Sequence, residues 1–130
     1  MDMMQLSFLA LALAAQNPAS GPAGEQWVEL ARPEGRVVQL DLNSIHVVRG
    51  QIRSARTRVT LDQPDASGRG RTEYVQEVDC QARSMALTGY ANYRPDGSLI
   101  NQGSAPNSER QWTPFAPGSQ GAATMDRVCR

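Results

Sequence analysis

The sequence predicts an α+β domain, an antiparallel sheet followed by one terminal helix, and three observations carry that prediction. Residues 27–101 fall into short runs of alternating apolar and polar side chains separated by turn residues, the period-two pattern of half-buried strands. Residues 120–129 change period: Ala122, Met125 and Cys129 fall on one face of a helix. Two cysteines, Cys80 and Cys129, are placed to pin that helix onto the sheet.

Taken in order, Trp27 to Ala31 is a short strand, and Pro33-Glu34-Gly35 turns the chain into a second strand from Arg36 to Asp41. Asn43-Ser44 reads as another turn before the apolar run Ile45 to Val48, and Arg49-Gly50 leads into a long strand from Gln51 to Leu61. There Ala55, Thr57, Val59 and Leu61 alternate with Ser54, Arg56, Arg58 and Thr60, which separates charge from core. Residues 62–70 hold Pro64, Gly68 and Gly70 and read as a flexible tip joining two long strands. The next strand, Arg71 to Ala82, should turn the face bearing Cys80 inward, since a disulfide belongs with the core. Met85 to Arg94 is a further strand, and Pro95-Asp96-Gly97 is a hairpin turn returning the chain through Ser98 to Asn101. Residues 103–110 read as loop. Ser119 has the side chain of an N-cap for the terminal helix.

Residues 1–15 read as a secretory signal peptide. Leu6 to Ala15 is apolar apart from Ser7, and Ala12-Leu13-Ala14 supplies the small-x-small pattern of a cleavage site. The stretch is too short for a membrane span, which needs about 20 apolar residues. Asp2 stands where such signals carry Lys or Arg, which points to a start further upstream or to a weak signal. Residues 16–25, with Pro18, Gly21, Pro22 and Gly24, form a flexible leader, and residues 26–130 form one domain. No cysteine follows the apolar stretch closely, so no lipid anchor is expected and the mature chain is placed in the periplasm or the medium. In that oxidising setting a Cys80 to Cys129 bond closes a loop of about 50 residues, which the chain-entropy account values at roughly 4 kcal/mol.

Charge narrows the partners. The formal net charge is zero and all 13 basic residues are Arg, so the basic excess that drives nucleic-acid binding is absent and no nucleic-acid partner is expected. Without Lys no Schiff-base chemistry is open. The two cysteines lack the spacing of a redox or zinc motif, and neither metal nor cofactor is expected. Arg56, Arg58, Arg69 and Arg71 form the one basic cluster; it reads either as a charged strand edge that resists aggregation or as an interaction surface.

Catalytic readings are thin. His46 is the only histidine, with Asp41 and Ser44 nearby, and a hydrolase would have to use it. Glu73, Glu77 and Asp79 share a strand face and could pair as glycosidase carboxylates, or simply meet arginines across the sheet. Trp27 and Trp112 either anchor a partner or fill the space between sheet and helix.

The order Trp27, Val38 to Leu42 with Asn43-Ser44-Ile45, Glu77-Val78-Asp79-Cys80, Tyr90 and Tyr93 before Asp96-Gly97, Trp112, Pro117-Gly118-Ser119 and Cys129 resembles the surface-adhesin protein E-like family of small exported bacterial domains. The resemblance runs from Gln26 to Arg130. It implies an antiparallel sheet of about six strands, a carboxy-terminal helix tethered by the disulfide, and adhesin-like protein binding at the cell envelope without catalysis. Trp112, Arg56, Arg58, Arg69 and Arg71 are the residues expected at an interaction surface. The other class is a periplasmic assembly protein, most naturally a homodimer joined through a sheet edge.

Overall fold

The computed structural model describes residues 24–130; the expected signal peptide and the leader through residue 23 lie outside the described residues. Six strands run β1 (Trp27–Ala31), β2 (Arg36–Arg49), β3 (Ile52–Leu61), β4 (Arg71–Asp79), β5 (Ser84–Tyr93) and β6 (Leu99–Ser104). They form one antiparallel meander in which spatial order equals chain order. A two-residue strand β7 (Thr113–Pro114) pairs with Met85 and Ser84, continuing the edge on which β6 pairs with the far half of β5. A 3-10 turn at Asn107–Glu109 bridges the two, and α1 (Gln120–Val128) closes the chain.

Alternation along β3 does what its sequence suggests. Ala55 is buried beside Leu40 and Val78, and Met125 and Val128 of α1 close over them as the core. Ser119 caps α1 by accepting the Ala122 N–H through its hydroxyl, which satisfies one of the donors a helix start leaves open. At the other end the Arg53 guanidinium donates to the Val128 and Arg130 carbonyls at 2.7 and 3.2 Å, a cation placed at the negative end of the helix. Cys80 and Cys129 are bonded, with Cα atoms 5.7 Å apart, so the helix end is tied to the sheet just past β4.

The structure departs from the sequence reading at several points. The turn expected at Asn43-Ser44 is an irregularity inside one long β2. Asp41 pairs with Arg56 and His46 with Ser54, so residues 42–45 face Ala55 alone. Polar side chains make this bulge tolerable: Asp41 Oδ1 accepts the Gln26 and Asn43 N–H groups, and Ser44 Oγ bridges the Asp41 carbonyl and the Arg56 N–H. β4 stops at Asp79 because its carboxylate accepts the Gln81 and Ala82 N–H groups and turns the chain. β6 extends to Ser104 since Gly103 sits under the Tyr90 ring, where a Cβ would lie 2.8 Å from a ring carbon. The buried stripe of α1 is Thr124, Met125 and Val128, turned from the Ala122, Met125, Cys129 face expected, because the helix lies against β1 and β2. The loop at 62–70, expected as a tip between two strands, carries hydrogen bonds to Asp65 from Ser67 and Arg69.

Candidate functional site

The face of the sheet away from α1 gathers Asp41 of β2, Arg56 and Arg58 of β3 and Arg71 and Glu73 of β4. Register lines up Trp27, Asp41 and Arg56 in one row, and Glu29, Gln39, Arg58, Glu73 and Ala91 in the next. Arg71 pairs with Tyr93 further along. The result is a half-buried layer of arginines, carboxylates and aromatic rings.

Arg56 is its hub. Its guanidinium contacts Glu25 at 3.1 Å, Asp41 at 3.7 Å and Glu73 at 3.0 Å, and lies 5.3 Å from the Trp27 ring centre. Burial works against its charge, but the hydrogen bonds to Glu73 and Glu25 outweigh burial and hold its pKa above the ordinary arginine value. Arg58 behaves differently. It stacks on Trp27 at 4.1 Å and donates through Nε to Gln39, with no carboxylate partner among the described residues. Burial and then the neighbouring Arg71 hold its pKa below the usual value. Arg71 stacks on Tyr93 at 4.5 Å. Its Nε lies 3.2 Å from Glu73 Oε2 yet is buried without a hydrogen bond, so the pair is held by charge at an angle unsuited to proton sharing.

The basic cluster read from the sequence is therefore divided. Arg56, Arg58 and Arg71 share the face away from α1. Arg69 pairs with Asp65 at 2.9 Å, donates to Thr72 and lines a hollow with Tyr74 and Gln120 on the helix side. Trp112 is 37% exposed near β7, and Trp27 is bracketed by Arg56 and Arg58, so of the two readings of these rings, filling the space between sheet and helix is not the one the structure takes. Sequence reasoning passed over Gln39, Tyr93 as a stacking partner, and Arg94 beside the same face; register was the missing signal.

The catalytic alternatives find their groups already engaged. Glu73 serves Arg56 and Arg71, and Glu77 serves Arg49 at 3.3 Å and Arg110 at 2.9 Å. Asp79 caps the turn after β4. His46 is exposed, its Nδ1 2.9 Å from the Ser44 carbonyl oxygen, while the Ser44 hydroxyl and Asp41 carboxylate are spent on backbone groups of the β2 bulge. Among the described residues no group of His, Cys, Asp and Glu is arranged to hold a metal, and no helix is long and apolar enough to cross a membrane.

The family model for surface-adhesin protein E matches residues 27–130. The chain belongs to the surface-adhesin protein E family. No curated protein matches it. Solved structures of Haemophilus influenzae protein E share the fold: crystal form II is 14% identical with a TM-score of 0.57, covering 91% of this chain and 96% of that one. Protein E from non-typeable Haemophilus influenzae is 14% identical with a TM-score of 0.55, covering 86% and 79%. At such identity the likeness to protein E is one of fold.

Proposed function

We infer that this chain is an exported, non-catalytic binding domain that makes adhesin-like protein contacts at the bacterial cell envelope, using the face of its sheet away from α1. The observation that carries the reading is the layer around Arg56, Arg58, Arg71, Trp27 and Tyr93, which no other element among the described residues covers. Arg, Trp and Tyr are the residues that dominate contact energetics at protein interfaces, and here stacking holds their side chains in place before any partner arrives. Family membership supports the same direction, and a disulfide-bonded domain suits a compartment outside the cytoplasm. Residues 1–15 act as the signal peptide, 16–25 as a leader and 26–130 as the working domain; the mature chain is periplasmic or secreted.

A periplasmic assembly role is the second reading, favoured by one feature: β1 and β6 end the sheet, and a terminal strand can pair with another chain, a second copy included.

The test expresses the chain with a carboxy-terminal tag, fractionates the cells, and measures retention of the purified domain on immobilised envelope protein. A processed, oxidised band outside the cytoplasm and retention lost in the Arg58→Glu, Arg71→Glu double variant are expected. An unprocessed cytoplasmic band with free thiols, or undiminished retention of a folded double variant, sinks the reading.

A further inference from the structure

A cavity of about 340 Å³ opens at one end of the arginine layer, between the 62–70 loop and the β5–β6 turn. Its wall includes Arg58, Arg71 and Arg94, against the single carboxylate of Asp62. Its two sides are fixed to each other. Gly70 donates its N–H to the Tyr93 carbonyl at 2.8 Å, and packs so tightly that a Cβ there would lie 3.0 Å from Pro95.

Donor bookkeeping sets this cavity apart. Arg58 uses only Nε, on Gln39, and both terminal nitrogens lack a protein acceptor among the described residues. Arg71 lies at ion-pair distance from Glu73 through its buried Nε, but makes no side-chain hydrogen bond there, so its terminal nitrogens remain to serve an anion. Arg94 gives Nη1 to Ser98 Oγ and the Leu99 carbonyl, leaving Nε and Nη2. Neither Arg58 nor Arg94 has a carboxylate at ion-pair distance among the described residues, whereas Arg56, a short way along the same face, meets three. Gathering like charges in a partly buried site is unfavourable unless an opposite charge completes it.

We propose that this cavity is an oxyanion site, in which Arg58, Arg71 and Arg94 hold a phosphate or carboxylate group of a small molecule. Stacking on Trp27 and Tyr93 fixes two guanidinium planes, so forked contacts to a planar or tetrahedral anion form with little ordering cost. The volume lies at the small end of ligand sites, which run from about 300 to 1,000 Å³, and suits a phosphate monoester or a di- or tricarboxylate. The inference stands apart from the protein-contact reading, since a small anion binds the isolated domain with no partner present.

Isothermal titration of the purified, oxidised domain with inorganic phosphate, and separately with citrate, at constant ionic strength gives the test. Saturable one-to-one binding of either anion is expected, weakened about tenfold or more by Arg94→Gln and by Arg58→Gln, the loss typical of a charged hydrogen bond removed. Arg127→Gln, on α1 away from the cavity, should leave it unchanged. Arg94 is exposed, so its variant carries the test even where Arg58→Gln disturbs the stack on Trp27. Preference for phosphate names a phosphorylated ligand, and preference for citrate a carboxylate one; either supports the site. Non-saturating heats with both probes, or equal affinity in Arg94→Gln and Arg127→Gln, would mean an adventitious ion only and overturn it.

Discussion

Arg56 and Asp65 show how single polar residues shape this domain. Arg56 neutralises Asp41, whose side chain is 3% exposed, while a third of its own side chain meets water. Replacing it with Gln leaves Asp41 and Glu25 short of a countercharge, while Glu73 keeps Arg71. The cost should be about 2 kcal/mol, below the roughly 3–5 kcal/mol of a fully buried pair because solvent screens the site; urea unfolding of Arg56→Gln measures it. Asp65 anchors the 62–70 loop. The Ser67 hydroxyl first, then the Arg69 and Ser67 N–H groups, hold its pKa at about 2 against an ordinary 3.8. With the folded value depressed, the carboxylate's contribution to holding the loop is fully present above pH 3.8 and is lost as pH falls through about 2. NMR titration of the Ser67 and Arg69 amides should show a midpoint near 2, whereas a midpoint near 3.8 would show that the carboxylate is not held by these groups. In the sequence Asp65 looked like one more turn residue; its partners all lie within four positions, but nothing local says which of several donors a carboxylate will gather.

At the scale of elements, two attachments hold the terminal helix besides its buried stripe and Arg53. The Cys80–Cys129 bond spans 49 residues, and Cys80→Ala with Cys129→Ala should cost about 4 kcal/mol by the loop-entropy account. Hydrogen exchange should then accelerate over residues 120–128 more than over β3 and β4, since a helix this short is marginal alone. Uniform acceleration across the domain would instead mean that helix and sheet open as one unit. The second attachment is Phe115, whose ring lies where a side chain on Gly121 would be, 2.3 Å from the built Cβ. Gly121→Ala gains helix propensity yet should destabilise by about 1–3 kcal/mol through overpacking, measured as a lowered Tm. Ser119 and the helix start were legible because capping is local. The stripe of Thr124, Met125 and Val128 was not, because which side of a short helix is buried depends on the strands it lands on.

Across the whole molecule, the meander joins each strand to its chain neighbour through short turns, and the one long-range covalent link is the disulfide. A non-reducing gel should show the oxidised chain running faster than the reduced one, since the closed loop keeps the denatured chain compact; identical mobility would show that the thiols are free. By itself the sequence determined the strand runs, most of the turns, the N-cap at Ser119 and the pairing of two cysteines, because each rests on residues near in the chain or on having no other partner. Tertiary structure alone decided that Asn43-Ser44 is a bulge inside β2, that Arg69 leaves the other arginines for the helix side, and that Arg58 meets Trp27 while Glu73 goes to Arg56 and Arg71. The physical reason is register: a slip of one residue between strands exchanges every side chain between the two faces, and alternation along one strand carries no information about which residue of the next lies opposite.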